Sequence, residues 1–336
     1  MRAFRCGCGN ELFFDSSRCV KCGKDVGLCS RCLLVVAPQL SPGSDELRCP
    51  TPRCGTKLVR CRNFQSAGCN QYVSDADAPT SDMCHFCRLT TVLPDQTVEG
   101  NLEKWLELEA AKRRVLYLVR LLGFPLVAQA GELPLVFEFK ADTAQPTTTG
   151  YSAGVVTINI READPIEREK ARVQFGEPKR TLVGHIRHEL GHYYWERLIK
   201  NRNDEGFRSL FGDERARDYS AALQAYYANG PIAHWEGNCV SAYASMHPWE
   251  DFAETFCAYL DMQSVLYTAR YFGVIGASSP DFGSMLKEYQ RIGIIANELN
   301  RDMGLLDLVP VVFTPQVAKK LAFIDSLRQS LARTPA

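Results

Sequence analysis

His188, Glu189 and His192 spell H-E-x-x-H inside the segment Thr181–Ile199, TLVGHIRHELGHYYWERLI. On an α-helix, residues four apart lie one above the other, so both imidazoles can address one metal ion. Glu189, beside them, can hold and deprotonate a water at that ion. Two histidine ligands and a carboxylate base are the equipment of a hydrolytic zinc centre. The neighbouring residues predict the helix. Pro178 suits a first turn, no proline follows until Pro231, and Leu182, Ile186, Leu190, Tyr194 and Leu198 recur at three-to-four spacing. Gly191 costs a helix interior about 0.5–1 kcal/mol relative to Ala, which counts against a merely structural helix carrying two histidines.

Such a centre needs a third protein ligand, and His247 to Leu260, HPWEDFAETFCAYL, offers one. Pro248 suits a helix start, and Phe252, Phe256 and Leu260 then line one face. Glu250 and Glu254 stand four apart on one side. Two acidic residues on a helix are ordinarily a solvated face, but here Asp251 is acidic as well and the setting is apolar and aromatic. One glutamate brought to the histidines would complete a His₂Glu site with a corner left for water. The other would bond the far nitrogen of a ligand histidine.

Cysteine usage divides the chain. Of 14 cysteines, 12 lie at or before Cys87. They fall into three sets: Cys6, Cys8, Cys19 and Cys22; Cys29, Cys32, Cys49 and Cys54; Cys61, Cys69, Cys84 and Cys87. Each set can hold one tetrahedral ion, and four thiolates are a usual structural zinc set. The spacing alone suits iron as well as zinc, and His85 could replace a cysteine of the loosest, third set. Disulfides are disfavoured without a secretory signal. About 90 residues with few apolar runs build a weak core, so metal binding would supply folding energy. The expected division is a zinc-ribbon region over 1–92 and a second domain over 93–336.

Residues 1–95 carry 12 basic and 9 acidic side chains, a formal +3. Three tetrathiolate zinc centres at about −2 each would turn this to about −3, poor support for phosphate binding. No nucleic-acid partner is expected, and the ribbons are read as docking protein. The whole chain has a formal net charge of 0. It has no run of about 20 apolar residues, so no membrane partner is expected. Its start, MRAFRCGCGN, has no apolar stretch of the signal-peptide kind, and the expected location is cytoplasmic.

Asn101 to Leu122 predicts a helix ending at Gly123 and Pro125. Its cluster Lys112-Arg113-Arg114 reads as a solvated face. Leu135 to Phe139 and Gly154 to Ile160 predict strands, with a polar loop over 141–150. Asp164-Pro165 opens a short helix. A loop through Gly206, a helix from about Asp213 to Tyr227, a loop over 228–247 and helices near 282–303 and 315–331 complete the reading. Cys239 and Cys257 have no partner spacing, and His185 is outer shell at best.

HELGHYYW, then FGDERARDY, then SAYASMHPWEDFAETF resemble the bacterial family of zinc-binding metallopeptidases with an N-terminal zinc ribbon, over nearly the whole chain. The second half is similar, more distantly, to gluzincins of the anthrax lethal factor type. The resemblance implies an α+β fold, a mainly helical zincin-like domain with a small sheet after Cys₄ ribbon modules. It implies Glu250 as the metal ligand, Glu254 as its outer-shell partner, and Tyr243, seven residues before Glu250, as an oxyanion donor. His234 and His247 are the other candidates for that donor. In zincins an edge strand before the motif helix pairs with substrate, which would be 154–160 here.

The expected activity is peptide hydrolysis by a His₂Glu zinc-bound water with Glu189 as general base. The cofactor set would be one catalytic and up to three structural zinc ions, and the substrate a peptide or protein. The alternatives are a ribbon adaptor whose peptidase-like domain binds peptides without cutting, and an isopeptide or amide hydrolase.

Overall fold

The computed structural model describes residues 1–75, 82–175, 181–276, 281–310 and 312–333. Pro178, expected in the first turn of the motif helix, lies outside them. The chain divides into two compact units, Met1–Leu116 with Val136–Gly150 and Val155–Val183, and Tyr117–Leu135 with Tyr151–Gly154 and Gly184–Ala336. The class is α+β: helices dominate, and the sheets are small.

The first unit opens with many short strands. β1 (Phe4–Arg5) and β2 (Glu11–Leu12) form an antiparallel hairpin. β3 (Gly27–Cys29), β4 (Val35–Val36), β5 (Gln39–Leu40), β6 (Leu47–Arg48), β7 (Lys57–Arg60) and, after the single turn α1 (Asn63–Ser66), β8 (Gln71–Ser74) form one sheet in the order β4-β3-β8-β7-β6-β5. Strands of two to four residues bury little, so the turns between them carry the organisation. Gly9 (φ 86°) and Gly23 (φ 71°) return their N–H groups to the carbonyls of Cys6 and Cys19, both at 2.9 Å. That left-handed step, easy only for glycine, folds each cysteine pair into a knuckle with its sulfurs on one side.

β9 (Thr90–Val92) leads to α2 (Asn101–Leu121), β10 (Val136–Lys140), β11 (Gly150–Ser152), β12 (Val155–Asn159) and α3 (Pro165–Phe175). Asp164 caps α3, its Oδ1 accepting from Ile166 N at 2.9 Å. β10 pairs in parallel with both β9 and β12. The sheet order is β11-β12-β10-β9, which corrects the expectation of an edge strand over 154–160. β12 is an inner strand, because β11, which starts at the last residue of the expected polar loop, lies beside it.

The basic triplet of α2 is not a solvated face either. Lys112 is fully buried and Arg113 nearly so. Lys112 Nζ donates to Glu109 Oε1 at 2.7 Å and lies 5.4 Å and 5.6 Å from the ring centres of Phe137 and Phe139. Arg113 donates to Glu109 Oε2 at 3.4 Å, and Arg114 pairs with Asp15 at 2.8 Å. Three consecutive helical residues point about 100° apart, so they meet different surroundings. Glu109, three and four residues earlier, supplies the charge that burial requires.

The second unit is helical: α4 (Leu182–Leu198), α5 (Asp204–Phe211), α6 (Tyr219–Asn229), α7 (Pro248–Tyr271), α8 (Phe282–Asp302) and α9 (Pro315–Arg333). α5 stands where a loop was expected. Its eight residues are too few to show periodicity, yet Phe207 and Phe211, four apart, are buried against Phe252. α6 begins at Tyr219, not near Asp213, because Asp218 caps it and Asp213 is held by Arg215 at 2.8 Å. The buried rings of Tyr194, Phe252 and Phe256 fill the space between α4 and α7. α9 is fixed by Tyr259 donating to Asp325 at 2.7 Å and by the buried Lys320–Asp251 pair at 2.5 Å. No helix among the described residues is long and apolar enough to cross a membrane.

Candidate metal centre

α4 carries the H-E-x-x-H residues on an almost wholly buried helix. α7 begins beside them. His247 caps it by accepting from Trp249 N at 3.2 Å, Pro248 takes the first turn, and Glu250 and Asp251 bring negative charge to the positive helix end. Glu250 therefore projects from a rigid first turn, and Glu254 follows one turn on.

The structure brings His188, His192 and Glu250 together. The two imidazole Nε2 atoms lie 3.1 Å apart. Glu250 Oε2 is 3.1 Å from His188 Nε2, and Oε1 is 3.4 Å from His192 Nε2. Ligands on a zinc ion at about 2.0–2.1 Å would be spaced by about 3.3 Å in a tetrahedral set, so the triad has the dimensions of one face of such a set.

Burial opposes charge at this place, and the charges nonetheless hold one another. Burial works against protonating His188, yet its contacts with Glu250 and Glu254 keep it protonated well above the ordinary imidazole range. Burial would raise the Glu250 carboxyl, but His192 and His188 hold it well below the usual carboxylate range. The carboxylates of Glu250 and Glu254, on the two nitrogens of the His188 ring, thus call for positive charge there. A divalent cation supplies that charge and leaves imidazole Nε2 free to ligate, which is the fit expected of a His₂Glu zinc site.

Glu254 faces the other side of the first ligand. Its Oε1 accepts from His188 Nδ1 at 2.6 Å, and its Oε2 accepts from Ser241 Oγ at 2.7 Å. That fixes the tautomer that presents Nε2 to the centre. Glu189 lies between, buried, and burial pushes its carboxyl up against the lowering pull of His188 and His192. Its Oε2 has no hydrogen-bond partner among the described residues. Tyr243 stands with its ring centre 6.1 Å from that of His188.

His247 is a cap, its Nε2 donating to Glu214 O at 3.1 Å, and His234 is exposed on the connection between α6 and α7. Neither joins the ligand cluster. Sequence reasoning missed two groups. Tyr219 donates to Glu250 Oε1 at 2.9 Å, and the Trp249 ring lies over His192 with centres 3.8 Å apart. Trp249 was legible as the neighbour of Glu250, and Tyr219 as the tyrosine that Asp218 caps. What they would touch was not.

In the first unit, each cysteine set also comes together, with its sulfurs within 4.8 Å of one another. Sulfur pairs include Cys6–Cys22 at 3.7 Å, Cys8–Cys19 at 3.6 Å, Cys29–Cys54 at 3.8 Å, Cys32–Cys49 at 3.7 Å and Cys69–Cys84 at 3.8 Å. These are far beyond a disulfide of about 2.05 Å and match the edge of a zinc tetrahedron with Zn–S near 2.3 Å, about 3.8 Å. His85 takes no place in the third set. It lies against the Arg88 guanidinium instead.

The comparisons with known proteins agree with both halves. The family described as "Putative zinc-binding metallo-peptidase" matches residues 101–327, and a zinc-ribbon domain matches residues 3–98. An uncharacterized protein of Mycobacterium bovis and uncharacterized proteins of two Mycobacterium tuberculosis strains are each 35% identical over 348 residues, covering 99% of this chain and 96% of theirs. No solved structure matches the chain.

Proposed function

This chain belongs to the "Putative zinc-binding metallo-peptidase" family, and from that premise we propose that it is a gluzincin-like zinc peptidase that hydrolyses peptide bonds. The observation that carries the reading is the Glu250 carboxylate lying 3.1 Å and 3.4 Å from the two His Nε2 atoms, with the buried Glu189, whose Oε2 has no hydrogen-bond partner among the described residues, next to His188 in the chain.

His188, His192 and Glu250 would hold the ion. When bound, zinc supplies Lewis acidity that acidifies a water and polarises a carbonyl. Glu189 takes the proton of the attacking water and passes it to the leaving amine. Tyr243 donates to the oxyanion that forms as the carbonyl is attacked. Glu254, itself held by Ser241, keeps the His188 ring in register.

The three cysteine sets would each hold one further zinc, giving four ions per chain. With those charges the ribbon region is close to neutral or acidic, which supports a role in docking protein. Thiolate clusters of this kind persist in reducing surroundings, which supports a cytoplasmic location.

The test is a peptide-library cleavage assay on wild type and Glu189→Gln, with zinc measured in both. Hydrolysis by wild type, lost in the variant at unchanged zinc content, is the expected result. Absence of any product from wild type would favour the non-cleaving adaptor, and cleavage confined to one linkage type the isopeptide hydrolase.

A further inference from the structure

Tyr219 opens α6 and is oriented by the cap beneath it, where Asp218 Oδ1 accepts from Ala221 N at 2.9 Å. Its ring is set edge-on against His247 and Trp249, with centres 5.5 Å and 5.6 Å away. These contacts hold the phenol where it donates to Glu250 Oε1 at 2.9 Å. The two oxygens of Glu250 are thereby made unequal. Oε1 accepts from a phenol and lies 3.4 Å from His192 Nε2, while Oε2 faces His188 Nε2 at 3.1 Å and has no hydrogen-bond partner among the described residues.

We propose that Tyr219 is a positioning residue of the metal centre: by engaging Oε1 it fixes the rotation of the Glu250 carboxylate and presents Oε2 to the ion. The inference rests on the reading of His188, His192 and Glu250 as the metal site. A carboxylate at 1% exposure has no water to solvate the oxygen that does not ligate a cation. Without the phenol that oxygen is left buried and unsatisfied, and the carboxylate can turn so that both oxygens compete for the ion. Outer partners of ligating groups typically contribute about 10–100-fold to metal affinity.

The experiment measures zinc retained per chain after dialysis against graded dipicolinate, a competing chelator. It compares wild type with His188→Ala, Tyr219→Phe, Tyr219→His and Tyr243→Phe. His188→Ala sets the amount held by the cysteine sets alone. Tyr219→Phe keeps the ring and its contacts with His247 and Trp249, and is expected to release the site's zinc at about 10–100-fold lower chelator activity than wild type. Tyr219→His, which restores a ring donor, should recover part of the loss, and Tyr243→Phe should retain zinc like wild type. Wild-type retention by Tyr219→Phe, with His188→Ala clearly lower, overturns this inference alone. Equal zinc in His188→Ala and wild type overturns the metal-site reading beneath it. Equal losses in Tyr219→Phe and Tyr243→Phe would show that the phenol pair supports the loop rather than the ligand, and would also overturn it.

Discussion

Gly191 of α4 lies directly against Ala253 of α7: a Cβ added at position 191 would stand 2.6 Å from Ala253 Cα and 3.0 Å from its carbonyl oxygen. Real Cβ atoms do not approach backbone so closely, so this glycine sets the distance between the two helices that carry His188, His192 and Glu250. Its cost within a helix is offset by the contact it permits one residue before His192.

Gly191→Ala must therefore push α7 outward. Overpacking of this sort costs about 1–3 kcal/mol, which should appear as a lower thermal midpoint. The same displacement should weaken zinc binding at the centre. A variant with wild-type midpoint and zinc content would show that the helices can separate freely, contrary to the contact.

Glu250 and Glu254 should behave differently. Glu250→Gln is expected to lose the ion of the centre. Glu254→Gln should retain it with affinity lowered by about 10–100-fold, since it reaches the centre through His188 Nδ1. Zinc analysis of the two variants checks this, and retention by the first with loss by the second would reverse the assignment.

Tyr243→Phe should lower kcat with little change in KM, by about 10²–10³-fold if the phenol is a principal oxyanion donor. Steady-state kinetics on a cleaved peptide decides it. Unchanged kcat would remove Tyr243 from the chemistry.

Lys320→Ala addresses stability away from the chemistry. Lys320 Nζ donates to Asp251 Oδ2 at 2.5 Å and to Asn238 O at 2.6 Å, with both charged side chains buried. Removing the cation leaves a buried carboxylate uncompensated, which costs about 3–5 kcal/mol. Chemical unfolding of the second unit should register most of that loss; a change under about 1 kcal/mol would mean that the pair is solvated in solution.

The zinc count is a separate matter. Three cysteine sets and one His₂Glu set should hold four ions per chain. Elemental analysis that returns one zinc, or finds iron, would sink the structural-zinc account of the ribbons without touching the centre on α4.

The sequence by itself determined what depends on spacing along one element. H-E-x-x-H puts two imidazoles on one helix face whatever surrounds it, and E-D-F-A-E puts two carboxylates on another. The tight pairs Cys6/Cys8, Cys19/Cys22, Cys29/Cys32 and Cys84/Cys87 likewise announced their knuckles, because one or two intervening residues leave few ways to turn. Tertiary structure alone decided everything that passes between elements. That Glu250 faces both Nε2 atoms while Glu254 faces Nδ1 depends on how closely α4 and α7 approach, which Gly191 and Ala253 set. Tyr219 reaches Glu250 across 31 residues of chain, a distance at which no periodicity carries information. Lys112 and Arg113 read as surface because charge ordinarily seeks water, and only the fold shows that Glu109 and the rings of Phe137 and Phe139 replace it. β12 became an inner strand for the same reason: a strand's own residues fix its pleat, but its neighbours are chosen by the rest of the chain.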